Sequence, residues 1–325
     1  MITDTHKGGK CTLWLLALEF AVLMSVPFLV PHTGILAVVA FVPLFAMERL
    51  ISENGVKHAF LYYYAAFVLF NVGATWWIWN VSPVGAIAAI ALNALQMAAL
   101  FALYRWNVKV LVRWSRKHGK SIPQARVCAL IFFAITWLAW EHIYFDVEFS
   151  WPWLCLGNAF ATSPELIQWY EATGSLGGSL WILACNILIY TALCSSGSRR
   201  VRLAVVTAAV TLLPMTLSLV MYHSYRESED PFEVVAVQPN VDPFAKYGVT
   251  PQEQLDDTAV DRGVVSYENR VLLDVHRSGS PLGVGNYITY AGSCPSGNPR
   301  ASDTRGLSFE NVNVVFENVK FYRGH

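Results

Sequence analysis

The chain has 325 residues, 54% of them hydrophobic and only 14% charged, with a mean hydropathy of +0.40; an ordinary globular chain carries roughly a quarter charged residues. That excludes disorder, a coiled coil and a nucleic-acid binder. The 23 basic and 23 acidic side chains cancel, so only their placement is informative.

Apolar stretches long enough to cross ~30 Å of hydrocarbon, about 20 helical residues, recur seven times: near 11–30, 34–50, 59–80, 84–105, 126–145, 176–196 and 201–222. The first ends at Pro27 and Pro31 and the second carries Pro43, which predicts a tight, kinked hairpin. Lys7 and Lys10 precede the first run as they would a secretory signal. Its apolar part is too long for one, and no small-x-small site follows it, so it is read as a retained helix.

With the N-terminus inside, 14 basic residues fall in inside segments: Lys7, Lys10, Arg49, Lys57, Arg105, Lys109, Arg113, Arg116, Lys117, Lys120, Arg126, Arg199, Arg200 and Arg202. The outside connections at 31–33, 81–83 and 146–175 hold none. Basic residues concentrate on the cytoplasmic side of membrane proteins, so seven crossings place the tail, from about residue 224, outside.

The tail holds the other nine basic residues and 14 acidic ones, and it reads as a water-exposed α/β piece. Val234-Val235-Ala236-Val237, within 233–238, is a candidate buried strand. A helix start over 251–257 leads to a second strand at 263–268. Further strands are expected at 282–290 and at 312–316, the latter pairing with 319–322 across Glu317-Asn318 as a hairpin. A loop rich in Ser, Pro, Gly and Asn covers 292–306. A final hairpin at the terminus would leave a sheet edge unpaired, so the tail reads as unfinished.

Among ionisable groups, Glu19 is the one well inside a span, Glu48, Glu141 and His142 lying near ends. A helix-facing residue bonded to a neighbour is its expected role, and a transporter or pump would need more such groups. The outside segment 146–175 carries Phe149, Trp151, Trp153, Phe160, Trp169 and Tyr170, suited either to an aromatic belt at the headgroups or to a surface admitting a lipid chain. Cys11, Cys128, Cys185 and Cys194 lie in or at helices, where a thiol acts as a small apolar residue. Cys155 and Cys294 are both outside, where a disulfide is chemically permitted, but no spacing demands one. Cys294 lacks a histidine nearby in sequence, and Glu141, His142, Asp146 and Glu148 lack metal-ligand spacing. Glu268 closes the run Gly263-Val264-Val265-Ser266-Tyr267. A carboxylate at a strand end is partly desolvated and suited to general-base work.

Several stretches carry a family resemblance. They are Ser25-Val26-Pro27-Phe28 through Gly34, Phe41-Val42-Pro43-Leu44, Trp151-Pro152-Trp153-Leu154-Cys155-Leu156-Gly157-Asn158, Pro164-Glu165-Leu166-Ile167-Gln168 with Thr173-Gly174, and Val235-Ala236-Val237-Gln238-Pro239-Asn240. Together they resemble apolipoprotein N-acyltransferase, a bacterial inner-membrane enzyme with a nitrilase-like domain. The resemblance implies a membrane all-α bundle over 1–224 followed by a partial α/β nitrilase-like (carbon-nitrogen hydrolase) domain of αββα type over 225–325, the latter periplasmic. It implies transfer of an acyl chain from a phospholipid to the N-terminal amine of a diacylglyceryl-cysteine lipoprotein, through a cysteine thioester, without cofactor or metal. The partners implied are the phospholipid donor, the lipoprotein acceptor and the bilayer. Val264-Val265-Ser266-Tyr267-Glu268 matches the strand that ends in the catalytic glutamate, making Glu268 the general base by resemblance.

The departures are specific. Phe321-Tyr322-Arg323 falls at the family's Tyr-x-Lys motif, with Arg323 at the lysine position, where a planar fork replaces a compact ammonium. No residue matches the nucleophilic cysteine, since Cys294 precedes that position. The expectation is therefore a truncated or divergent member without turnover. The competing readings are a non-catalytic lipid- or lipoprotein-binding relative and an unrelated seven-helix protein.

Overall fold

The computed structural model describes residues 9–147 and 152–225, together with the backbone of five later strands. Its first compact unit, Met1–Ser224, is helical: α1 (Gly9–Leu29), α2 (Ala37–Asn54), α3 (Ala59–Thr75), α4 (Pro83–Lys117), α5 (Ile122–Asp146), α6 (Tyr170–Leu193) and α7 (Gly197–Ser224). All seven are long and apolar enough to cross a membrane. The protein is multi-pass.

The helices close into a ring. α1 packs on α2 and α3, α3 on α4, α4 on α5, α5 on α6, and α6 returns to α2. α7 leans on α6 from outside, with Ser218 its one buried residue. The centre of the ring is aromatic. Phe41 meets Trp137 edge-on at 5.2 Å, Phe20 meets Phe67 at 5.2 Å, and Phe45 and Phe101 close on Phe133 at 5.7 and 5.6 Å. Helices in lipid gain little from hydrophobic burial against one another, so they are held by packing and interhelical hydrogen bonds. Buried alanines 17, 40, 66, 94, 98 and 129 let the backbones approach. Asn93 Nδ2 donates to Asn71 Oδ1 at 2.6 Å between α4 and α3.

The proline-bearing second helix is continuous. α2 runs through Pro43, preceded by a 3-10 turn at Gly34–Leu36. Its opening turn is bracketed by Asn186 of α6, whose Oδ1 accepts from the Phe41 amide and whose Nδ2 donates to the Ala37 carbonyl, both at 2.8 Å. A side chain at this ladder site is a recognised way to accommodate a proline bend. α1 and α2 pack on one another as the expected hairpin, and the polar clamp ties α2 to α6.

Two expectations about spans are corrected. α4 extends a full twelve residues past position 105, to Lys117. Hydropathy falls at Arg105, but Lys109, Leu111, Arg113, Arg116 and Lys117 are good helix formers and neither Gly nor Pro interrupts the run. The stop comes at Gly119, whose φ of +61° lets Lys120 N reach back to Ser115 O at 2.8 Å, a glycine-terminated helix end. Glu19, expected to face and bond a neighbouring helix, is exposed. The buried stripe of α1 is Leu13, Ala17, Phe20, Ala21 and Met24, and Glu19 stands off it. No hydrogen-bond partner is present for it among the described residues.

The second unit, Tyr225–His325, contains β1 (Val234–Val237), β2 (Val271–Ser280), β3 (Gly283–Ala291), β4 (Val312–Val315) and β5 (Lys320–Arg323). β1 pairs parallel to β2 and β2 antiparallel to β3, giving the order β1-β2-β3. β4 and β5 form the separate antiparallel pair expected across Glu317-Asn318. β2 was not foreseen. The readings of 251–257, 263–268 and 292–306 lie outside the described residues.

Candidate functional site

Every described Lys and Arg of the helical unit occurs toward one end of the ring: Lys10 at the start of α1, Arg49 near the end of α2, Lys57 before α3, the group from Arg105 to Lys120 on α4 and its turn, Arg126 on α5, and Arg199 to Arg202 on α7. The connections at the other end have none. That end is where the aromatic segment folds.

The segment is neither a belt nor an open surface. It turns through three short 3-10 stretches, Pro152–Leu154, Leu156–Phe160 and Pro164–Leu166, and buries Leu154, Cys155, Leu156, Gly157, Ala159 and Phe160. Phe160 and Trp169 both pack on Trp181 of α6, at 5.1 and 5.9 Å, and Trp153 meets Trp77 at 5.1 Å. His32, in the turn after α1, donates its amide to Thr162 Oγ1 at 2.9 Å. Phe149 and Trp151 lie outside the described residues.

Beneath the segment sits Glu141, only 3% exposed despite its place near the end of α5. Its Oε1 accepts from Trp137 Nε1 at 3.0 Å and from the Leu156 amide at 2.9 Å, and Oε2 accepts from Cys155 Sγ at 3.3 Å. Ser179 Oγ on α6 completes the joint, 3.3 Å from Cys155 Sγ and accepting from the Gly157 amide at 2.9 Å. A Cβ on Gly157 would stand 2.1 Å from the Ser175 carbonyl oxygen. Only glycine permits this approach, which explains its place in the Trp-Pro-Trp segment. Gly174, at φ +65° and ψ −176°, separates the first turn of α6 from the helix proper. The Tyr170 hydroxyl thereby reaches the Gly157 carbonyl at 3.2 Å.

This cluster was not legible beforehand. Glu141 and Cys155 are 14 residues apart in the chain, and the local signal is the four-residue spacing of Trp137 and Glu141 on one helix face. Cys155 is a free thiol, pushed up to about 12 first by burial and then by the adjacent Glu141 carboxylate. It stays protonated near neutral pH and serves as a donor, not a nucleophile. The cleft beside it, bordered by Met97, Trp140, Tyr144 and Leu154, holds about 10 Å³, room for one water. Its chemistry is that of a joint positioning the loop.

Glu268, expected as the general base, lies outside the described residues, as does Cys294, which was not expected to act. Arg323 ends β5, in register with Val312.

The family model described as the Apolipoprotein N-acyltransferase N-terminal domain matches residues 20–188, more than half of the chain. The chain belongs to this family. The matched region runs from the middle of α1 to α6, so the Glu141 joint of this N-acyltransferase-family bundle lies inside it. The chain is also 26% identical over 230 residues to a protein named Apolipoprotein N-acyltransferase in Chlorobaculum tepidum, covering 69% of this chain and 40% of that relative. It therefore spans about two-fifths of that relative's length.

Proposed function

We propose that the chain serves lipoprotein N-acylation in a bacterial inner membrane, with the N-terminus cytoplasmic and the second unit a nitrilase-like domain on the periplasmic side. The observation that carries this is the match to the acyltransferase N-terminal domain across six of the seven helices. The one-sided placement of basic residues supports the orientation. The ring would admit the lipid substrates laterally from the bilayer, and the second unit would carry the chemistry. There a phospholipid ester would pass its acyl group to a thiolate, releasing a lysophospholipid. The amine of a diacylglyceryl-cysteine would then take the acyl group from the thioester. Glu268 would remove the thiol proton and later the amine proton, and Arg323 would stand at the position of the oxyanion-stabilising lysine.

Cys294 precedes Arg323, whereas the resemblance places the nucleophile after that position. The expected behaviour of these 325 residues is thus retention of donor and acceptor without turnover. Purified chain incubated with labelled phospholipid and a diacylated lipopeptide should retain both and form no N-acylated peptide. Formation of product would show turnover and restore the full enzymatic reading. Failure to retain either lipid would remove the lipoprotein reading altogether. Labelling a thiol placed beside Glu268 tests the orientation: reaction with an impermeant reagent from the cytosolic side alone would overturn it.

A further inference from the structure

α4 is longer than any bilayer crossing requires. Its 35 residues extend about 52 Å at ~1.5 Å each, against ~30 Å of hydrocarbon and ~40–45 Å with the headgroups. Starting from Pro83, Arg105 stands about 33 Å along the axis. There it donates to Tyr63 Oη of α3 at 3.0 Å. The last third of the helix therefore emerges into the headgroup layer at the basic end.

That third has three faces. Val108 and Ser115 are buried against the bundle. Trp106, Val110 and Trp114 form an exposed apolar strip at successive four-residue steps, the two tryptophans 60% and 51% exposed. Beside it, on the same outward side, run Lys109, Arg113, Arg116 and Lys117, all exposed. None of these four has an ion-pair partner among the described residues. Acidic residues are absent from the sequence between Glu53 and Glu141, so none lies on α4 or in the turns at its two ends. The turn that follows is fixed: His118 stacks on Trp114 at 4.7 Å, and Ser121 caps α5 by accepting from Gln124 N.

We propose that the outward side of α4 from Trp106 to Lys117 is a binding surface for anionic phospholipid headgroups of the membrane that the helix leaves. Indole rings favour the headgroup level, where one edge is wet and the other apolar. Clustered Lys and Arg next to a transmembrane helix attract anionic lipid by roughly a factor of five per charge. The strip and the charges lie side by side on one rigid helix, so a single headgroup layer satisfies both. Elsewhere on the basic end, the guanidinium groups of Arg49 and Arg126 are occupied by Glu53 and Glu48. The inference rests on the membrane crossing and is independent of acyl transfer.

The test reads lipid enrichment around the indoles. The full chain is placed in phosphatidylcholine nanodiscs containing a small fraction of acyl-brominated phosphatidylglycerol or, in parallel, acyl-brominated phosphatidylcholine, and tryptophan fluorescence is recorded. Phosphatidylglycerol should quench in excess of its mole fraction. That excess should fall at least about tenfold in the variant Lys109→Gln, Arg113→Gln, Arg116→Gln, Lys117→Gln, and should vanish in Trp106→Phe, Trp114→Phe. In the unaltered chain it should also collapse at about 1 M salt, where screening acts beyond ~3 Å. Equal quenching by the two lipids overturns the proposal and leaves an acidic protein surface as the remaining partner. An excess that survives the four glutamines, or that resists salt, places the lipid elsewhere and overturns it equally.

Discussion

Two buried carboxylates lie toward opposite ends of the helical ring and are held by opposite means. Glu48, 1% exposed, has Arg126 Nη1 at 3.6 Å from its Oε2 and accepts the Ser52 hydroxyl at Oε1. Glu141, toward the other end, is surrounded by an indole N–H, a backbone amide and a thiol. The difference follows from where the charges are. At the basic end an arginine is available, so a cation offsets the buried charge; at the other end the connections offer no Lys or Arg, and neutral donors must converge from helix and loop. A buried charge satisfied in neither way would cost far more than either arrangement.

The largest effect should come from stranding the charge at the basic end. Arg126→Leu removes the cation paired with Glu48, leaving it the Ser52 hydroxyl and the field of Arg105, and should cost up to about 3–5 kcal/mol, read as a fall in thermal unfolding of the helical unit in detergent. Adding Glu48→Leu to that variant should recover most of the loss. If the double variant is no more stable than the single one, Arg126 acts by packing alone and the contrast between the two ends disappears.

Glu141→Leu comes next, because it strands three donors instead of a charge. With about 1–3 kcal/mol for each buried group left unpaired, a loss near 3 kcal/mol is expected, together with faster proteolysis within 152–170. Glu141→Gln retains one acceptor oxygen and should cost about 1 kcal/mol. Equal losses for the two substitutions would mean that hydrogen bonding is not what Glu141 contributes.

Gly157→Ala tests the same joint sterically. A methyl group 2.1 Å from the Ser175 carbonyl oxygen has to displace backbone, at a cost of about 1–3 kcal/mol. A variant as stable as the unaltered chain would show that the loop is not seated against α6 as described.

The smallest effect is the most diagnostic. Cys155→Ser should change stability by less than about 1 kcal/mol, since a hydroxyl also donates. The Cys155 thiol, pushed up to about 12, keeps its proton in the folded chain at pH values where an unfolded thiol, near ~8.5, has lost it. Its contribution is therefore fully present below ~8.5 and is lost as pH rises toward the folded value. Alkylation of Cys155 should stay slow through neutral pH and accelerate only in strong base. Glu141→Gln removes the neighbouring negative charge, so labelling should begin at lower pH. An unchanged labelling profile in that variant would break the proposed coupling between thiol and carboxylate.

How much of this was legible depends on range. The seven crossings could be read because a bilayer requires an apolar run of a fixed minimum length, and such runs are contiguous. The end of α4 could not, because hydropathy reports the membrane boundary, whereas the helix stops where Gly119 turns its backbone. The exposure of Glu19 was also hidden: α1 is apolar nearly all round, and a helix without a polar face does not announce which side is buried. For the site, Trp137 and Glu141 are one helical turn apart, but Cys155 and Ser179 come from a loop and a different helix.

The sequence by itself determined the number of crossings, the side on which the basic residues gather and the family of the bundle, because these depend on contiguous composition and local motifs. Only the tertiary structure decided that the aromatic segment folds inward, that Glu141 and Cys155 share a proton-mediated contact, and that α4 carries its indoles and cations outward together. Those outcomes depend on which helix faces close the ring. That selection is made by packing between residues distant in the chain, where a single glycine or asparagine at a contact settles how near two backbones can come.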